Sequence, residues 1–352
     1  MERPRFPLGY SASLDGARGL MTITVIAAHL DPDWYPGAII FMDTFFIISG
    51  YLITSLLLKD WFELGRIRFA RFYLRRIYRL YPALVLMLAA YLIVAALFLR
   101  PFEPALRAVG AALFYMMNWA RAFDWDISTH LGHAWSLSIE EQFYVCWPPL
   151  CLLLLRREGK RTWPPVAVLI AIGVASMAWR HALAETGAPV YRLYNGTDVR
   201  LDALTFGCAL GFLLHDGASR VARLARAIAP VAAPAVSLGL FLFGFHANYF
   251  DREWYLWQSS LCVGLSTVLV ACLAARKDTL AHRLYEWAPA VFLGRICYGL
   301  YLWHYPILAL METRWNLPLE IRLLVGVPAA LALATLSYKF VELPLMRLRP
   351  GG

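Results

Sequence analysis

The chain has 352 residues, 60% of them hydrophobic and 16% charged, with a mean hydropathy of +0.55. A soluble domain carries about half apolar and about a quarter charged residues, so a single soluble core does not account for this composition. The net charge of +9 sits in short basic segments between apolar runs, which fits the positive-inside bias of a membrane protein and gives no ground for a nucleic-acid partner.

The first residues lack the apolar core and small-residue site of a cleaved leader, so Met1 and the first span are expected to persist. Ten apolar windows follow, near residues 17–31, 38–58, 79–99, 138–155, 164–183, 199–215, 227–246, 255–275, 288–310 and 320–340. An eleventh run, 105–120, is short for the ~20 residues a crossing needs. Loop charge sets the expectation for it. Basic groups precede the first window and recur between Lys59 and Arg79, in 156–161, at Arg220, Arg223 and Arg226, in 276–283, and at Arg347 and Arg349. They share one side only if 105–120 enters and leaves by the same face. The fold class expected is therefore all-α, a polytopic helical membrane protein with about ten transmembrane helices plus one re-entrant segment. A single transmembrane domain over 1–352 is expected, with both termini on the cytoplasmic side of the membrane. The six cysteines all lie in apolar runs without CxxC spacing, so neither a disulfide framework nor a metal site is expected.

Ionisable groups interrupt several windows. In LDGARGLMTITVIAAHL they are Asp15, Arg18 and His29. Eleven residues at 100° each bring Arg18 and His29 within about 20° of one helical face, about 16 Å apart. Asp15 joins that stripe three residues earlier. Snorkelling accounts for an arginine at a helix end, but intramembrane ionisable groups on one face also point to function. Asp43, in MDTFFIISGYLIT, requires a cationic partner or a cavity, because an unpaired buried carboxylate is costly.

Arg68, Arg71, Arg75 and Arg79 are spaced 3, 4 and 4 residues apart and form one helical face, with Arg76 beside it. Guanidinium forks match phosphate oxygens, either of a phosphorylated ligand or of lipid headgroups. The stretch HLGHAWSLSIEEQFY gathers His130, His133, Ser136, Ser138, Glu140 and Glu141 where a window begins. Ser138 with Glu141 reads as a capping box, which explains part of the cluster but not its density. Asp198, Arg200 and Asp202 stand at another mouth, before a Gly207/Gly211 pair suited to helix packing. Tyr298, Tyr301, His304 and Tyr305 read as an aromatic belt with a structural histidine. Glu342 reads as a carboxylate awaiting an arginine.

In chain order, the Arg-x10-His of Arg18 and His29, DTFFIISGYLI, FYLRRIYRLYP, HAWSLSIEEQFY, RLDALTFG, GLYLWHYPIL and FVELP together resemble the acyltransferase 3 family. The resemblance covers nearly the whole chain. It departs at PGAIIFMD, where the family often has a glycine-valine-aspartate run. The resemblance implies an integral membrane O-acyltransferase that moves an acyl group, commonly acetyl, from cytoplasmic acyl-CoA to a hydroxyl of a glycan or lipid-linked sugar. It implies a stand-alone form without the SGNH-type domain of some relatives, and no permanently bound cofactor.

By position, Arg18 and His29 are the essential pair, Arg75 and Arg76 belong to the arginine motif linked to the donor, and Glu140 and Glu141 are the acidic pair. The expected catalytic residues are His29, Glu140 and Glu141. Arg18, Asp15, Asp43, Arg75, Arg76, Arg79, His133 and Ser136 are expected to bind substrate. His29 suits a general base, because imidazole titrates near neutrality. A secondary transporter of a small polar solute is the rival reading, though no internal repeat is evident.

Overall fold

The computed structural model describes residues 11–158, 162–215, 217, 219–275 and 278–348, and among these it is helical with no strand. The helices are α1 (Ala12–Leu30), α2 (Ile39–Leu64), α3 (Phe69–Phe98), α4 (Glu103–Leu113) and α5 (Met117–Ala122). They continue as α6 (Trp135–Glu158), α7 (Trp163–Glu185), α8 (Val190–Asn195), α9 (Leu201–Leu214) and α10 (Arg220–Phe243). The last are α11 (Ser259–Ala274), α12 (Leu280–Tyr285), α13 (Ala288–Thr313) and a closing helix, Leu319–Arg347. Each of the ten apolar windows falls on a helix. The chain is an all-α polytopic membrane protein.

The number of crossings is less direct. Among the described residues, six helices are long and apolar enough to span a bilayer: those containing α2, α3, α7, α10 and α11, and the closing helix. The helices α1, α6 and α13 have 19, 24 and 26 residues. They carry the charged, histidine and glycine residues that lower their apolarity. α9 has only 14 residues. Length and apolarity alone therefore support six crossings where the windows gave ten.

The 105–120 run does not form one helix. It breaks between α4 and α5, where Tyr115 takes a left-handed φ of 53°. The 11 residues of α4 rise about 16 Å, roughly half the hydrocarbon thickness.

Small residues bring the site-bearing helices together. A Cβ at Gly16 would lie 1.5 Å from the Tyr285 carbonyl oxygen, one at Gly19 2.1 Å from that of Ala290, and one at Gly294 1.8 Å from that of Asp15. The backbone of α1 is thus in direct contact with α12 at Gly16 and with α13 at Gly19 and Gly294, as small residues permit in membranes. α2 and α9 pack the same way. A Cβ at Gly207 would lie 2.2 Å from the Ile47 oxygen, and one at Gly211 2.7 Å from Thr54 Cβ, so the glycine pair is a packing face.

Two fully buried ion pairs tie in α7 and the start of α9. Asp43 faces Arg200 at 3.1 Å, and Arg180 meets Asp202 at 2.8 Å. All six cysteines are free and five are buried.

Candidate active site

The site is built along α1 and has a different chemistry at each end. At the Arg18 end a cavity of about 750 Å³ lies between α1, α2, α3 and α6. Its wall includes Asp15, Arg18, Lys59, Glu140 and the arginine face of α3: Arg68, Arg71, Arg75, Arg76 and Arg79. The 3-4-4 spacing folds as expected, and one helix delivers all of these guanidiniums to one opening. Several are held by carboxylates. Arg68 donates to Asp60 at 2.6 Å, and Arg76 donates to Glu141 at 2.7 Å while lying 3.4 Å from the centre of the Tyr144 ring. Arg18 stands 4.0 Å from Asp15. Glu140 accepts a 2.5 Å hydrogen bond from Ser49.

A much smaller cavity of about 60 Å³, the neck, adjoins this one. The two share Arg18, Leu137, Glu140 and Tyr298. Beyond them the neck is walled by Met42, Phe45, Phe46 and Cys297, and it reaches Thr22, Ser136 and Tyr301. The Tyr301 hydroxyl donates to the His133 carbonyl oxygen. Its only proton is committed there, so Ser136 donates to Tyr301, at 2.6 Å. This hydroxyl pair forms the far wall. Thr22 lies seven residues before His29, so the neck ends about 10 Å short of it along α1.

Beyond that wall is a cluster of imidazoles. His29 Nδ1 is 3.0 Å from His304 Nε2, and the two rings stack with centroids 5.2 Å apart. The His133 ring is 5.7 Å from that of His304, and Tyr305 packs 4.7 Å from His29 and 5.0 Å from His133. The hydrogen-bond chain fixes the tautomers. His304 Nδ1 faces the Leu300 carbonyl oxygen at 3.0 Å, and a carbonyl only accepts. The His304 proton is therefore on Nδ1 and its Nε2 is a lone pair. His29 then donates from Nδ1, which leaves His29 Nε2 as a basic nitrogen. A base whose other nitrogen is held by an orienting group is the working part of a general-base site.

The expected site residues separate into groups. Asp15, Arg18, Arg75, Arg76, Arg79 and Glu140 line the basic cavity. His29 and His133 stand together at the far end, and Ser136 lies on the wall between. Glu140 and Glu141 face the arginine end, and the group that orients His29 is His304. Asp43 lies outside the cavity lining, fully buried against Arg200, because burial demanded a counter-ion.

Ser138 is not a cap. The turn Thr129–Ala134 runs directly into α6, so Ser138 sits inside the helix and donates to the Ala134 oxygen at 2.9 Å. Glu342 is buried and accepts from Ser337 at 3.3 Å. His130 bridges Ser128 and Thr313, and burial lowers its pKa below the ordinary imidazole range.

His304 and Tyr301 were read as structural, and the fold gives them places in the site. The available signal was the position of His304 one turn after Tyr301, with Tyr298 before it, which puts all three on one face of α13.

The comparisons with known proteins place the chain in a family. A family model described as an acyltransferase domain matches residues 11–339. The chain is 32% identical over 356 residues to the peptidoglycan O-acetyltransferase OatA of Listeria monocytogenes serovar 1/2a, covering 97% of this chain and 57% of that protein. It is 30% identical over 363 residues to the O-acetyltransferase OatA of Staphylococcus aureus strain NCTC 8325, covering 96% and 57%. The chain thus spans a little over half the length of these relatives. No solved structure matches. With a family model matching nearly its whole length, the chain belongs to the acyltransferase 3 family of membrane acyltransferases.

Proposed function

We propose that this protein is a membrane O-acetyltransferase that uses acetyl-CoA on the cytoplasmic side and a hydroxyl of a cell-surface glycan or lipid-linked sugar as acceptor. The observation that carries the reading is the His29–His304 pair at one end of a helix whose other end opens into a cavity ringed by arginines. Relatives named as O-acetyltransferases, one of them for peptidoglycan, support the acetyl group and the glycan acceptor.

The arginine face would hold the donor's phosphates through paired hydrogen bonds. The pantetheine arm would extend past Arg18 and Glu140 into the neck. For the thioester to meet His29, the Ser136–Tyr301 wall parts. The acceptor oxygen then attacks the thioester carbonyl carbon while its proton passes to His29 Nε2. The carbon–sulfur bond breaks, and the protonated imidazole returns the proton to the departing sulfur. General-base assistance of this kind contributes about 10²–10⁴-fold.

The test is transfer of labelled acetyl from acetyl-CoA to glycan by membranes containing the protein. His29→Ala abolishes it while the purified variant keeps its melting temperature. Near-normal turnover by that variant would remove His29 from the mechanism. Uptake of a solute into proteoliposomes without acyl transfer would favour the transporter.

A further inference from the structure

The neck differs from the cavity it adjoins. The cavity is wide and lined with charges. The neck has less than a tenth of its volume, and its own wall is mostly side chains without charge. Those polar groups that line it have partners within the protein. Thr22 donates to the Arg18 carbonyl oxygen at 2.8 Å, and Ser136 and Tyr301 are bonded to each other. Beyond Arg18, Leu137, Glu140 and Tyr298, which it shares with the cavity, the neck offers an occupant Met42, Phe45, Phe46 and Cys297.

Two of these walls are stiff. Phe46 is fully buried and meets Trp135 edge-on at 6.1 Å. Cys297 lies on α13, whose backbone is in contact with α1. Phe45 is half-buried and Met42 is unbranched, so these two side chains set the adjustable part of the bore.

We infer that the neck is the acyl pocket of the donor, and that Phe45 with Met42 limits the group it accepts to a short acyl chain. This rests on the donor reading above and adds the residues that choose among acyl-CoAs. The physical reason is close packing. A small apolar pocket with fixed walls takes an acetyl group at the end of the pantetheine arm, and each further methylene must displace a wall. One methylene too many or too few in such a pocket changes selectivity by about 10–200-fold.

The experiment measures binding of acetyl-, propionyl-, butyryl- and hexanoyl-CoA to the purified full chain in detergent micelles, by calorimetry, so that no acceptor is needed. Wild type is expected to bind acetyl-CoA, with affinity falling about tenfold or more by butyryl-CoA. Phe45→Ala is expected to raise the ratio of butyryl-CoA to acetyl-CoA affinity by about tenfold. Phe45→Trp is expected to do the opposite and weaken propionyl-CoA further. A misfolded variant loses all four ligands together, and opposite trends at one position are beyond a general loss of structure. Met42→Ala gives a second opening from the neighbouring turn. Equal affinities for all four acyl-CoAs in wild type, or the same change for all four in both Phe45 variants, would overturn the inference. Failure of every acyl-CoA to bind wild type would instead overturn the donor reading on which it rests.

Discussion

His304 is the residue whose role changed most between sequence and structure. Its Nδ1 is tied to the Leu300 oxygen, which leaves Nε2 to receive the proton of His29. It therefore orients His29, with both of its own ring nitrogens engaged within the protein. His304→Phe removes the acceptor for the His29 Nδ1 proton and frees the ring to turn. The expected result is a fall in kcat of about 10²-fold or more, with KM for the donor little changed. His304→Gln keeps a side-chain oxygen that can accept from His29, and is expected to recover part of the loss. The pH profile separates positioning from simple packing. The Phe variant is expected to shift the rising limb of kcat, whereas a merely structural defect lowers the rate at every pH alike. A pH profile of unchanged shape in both variants would count against the orienting role.

At the scale of elements, the α1–α13 contact decides whether the imidazoles meet. Gly19 and Gly294 let the two backbones touch, and His29 and His304 lie further along the same two helices. Gly294→Leu forces a side chain against the Asp15 backbone and pushes the helices apart. Overpacking of this kind costs about 1–3 kcal/mol, and more where only backbone can yield. A lower melting temperature in detergent and a large loss of transfer are expected together. Gly239, where a Cβ would meet nothing within 4 Å, is the control, and its Ala variant is expected to keep both. If Gly294→Leu kept wild-type melting and turnover, close packing would not be what aligns the pair.

At the scale of the whole molecule, the sequence was legible where physics is local. Apolar runs placed all ten windows on helices, and the 3-4-4 spacing placed four arginines on one wall of one cavity. The number of crossings was not legible. Of the helices that build the site, α1, α6 and α13 carry polar residues that lower their apolarity, so there the chemistry itself obscures the span. The pairing of His29 with His304 was not legible either, because 275 residues separate them and only packing joins them. The same holds for Asp43, whose partner Arg200 comes from the start of a helix far along the chain.

The basic segments predict the sidedness of the donor. Acetyl-CoA added to inside-out vesicles is expected to support acetyl transfer, and added to sealed right-side-out vesicles it is expected to give none until a detergent opens them. Equal activity in both sealed preparations would invert or remove the assigned orientation.

The hydroxyl pair at the end of the neck also bears on the energetics of the cell. A continuous water path from the basic cavity to the far face would let ions run down the membrane potential, which is worth about 2.3 kcal/mol per charge per 100 mV. Ser136 and Tyr301 close that path with donors and acceptors already engaged with each other and with the His133 backbone. On the proposed reading, an acyl group filling the bore would keep it dry while the plug opens. On that reading the wide, charged mouth would stay open to one side of the bilayer without becoming a leak.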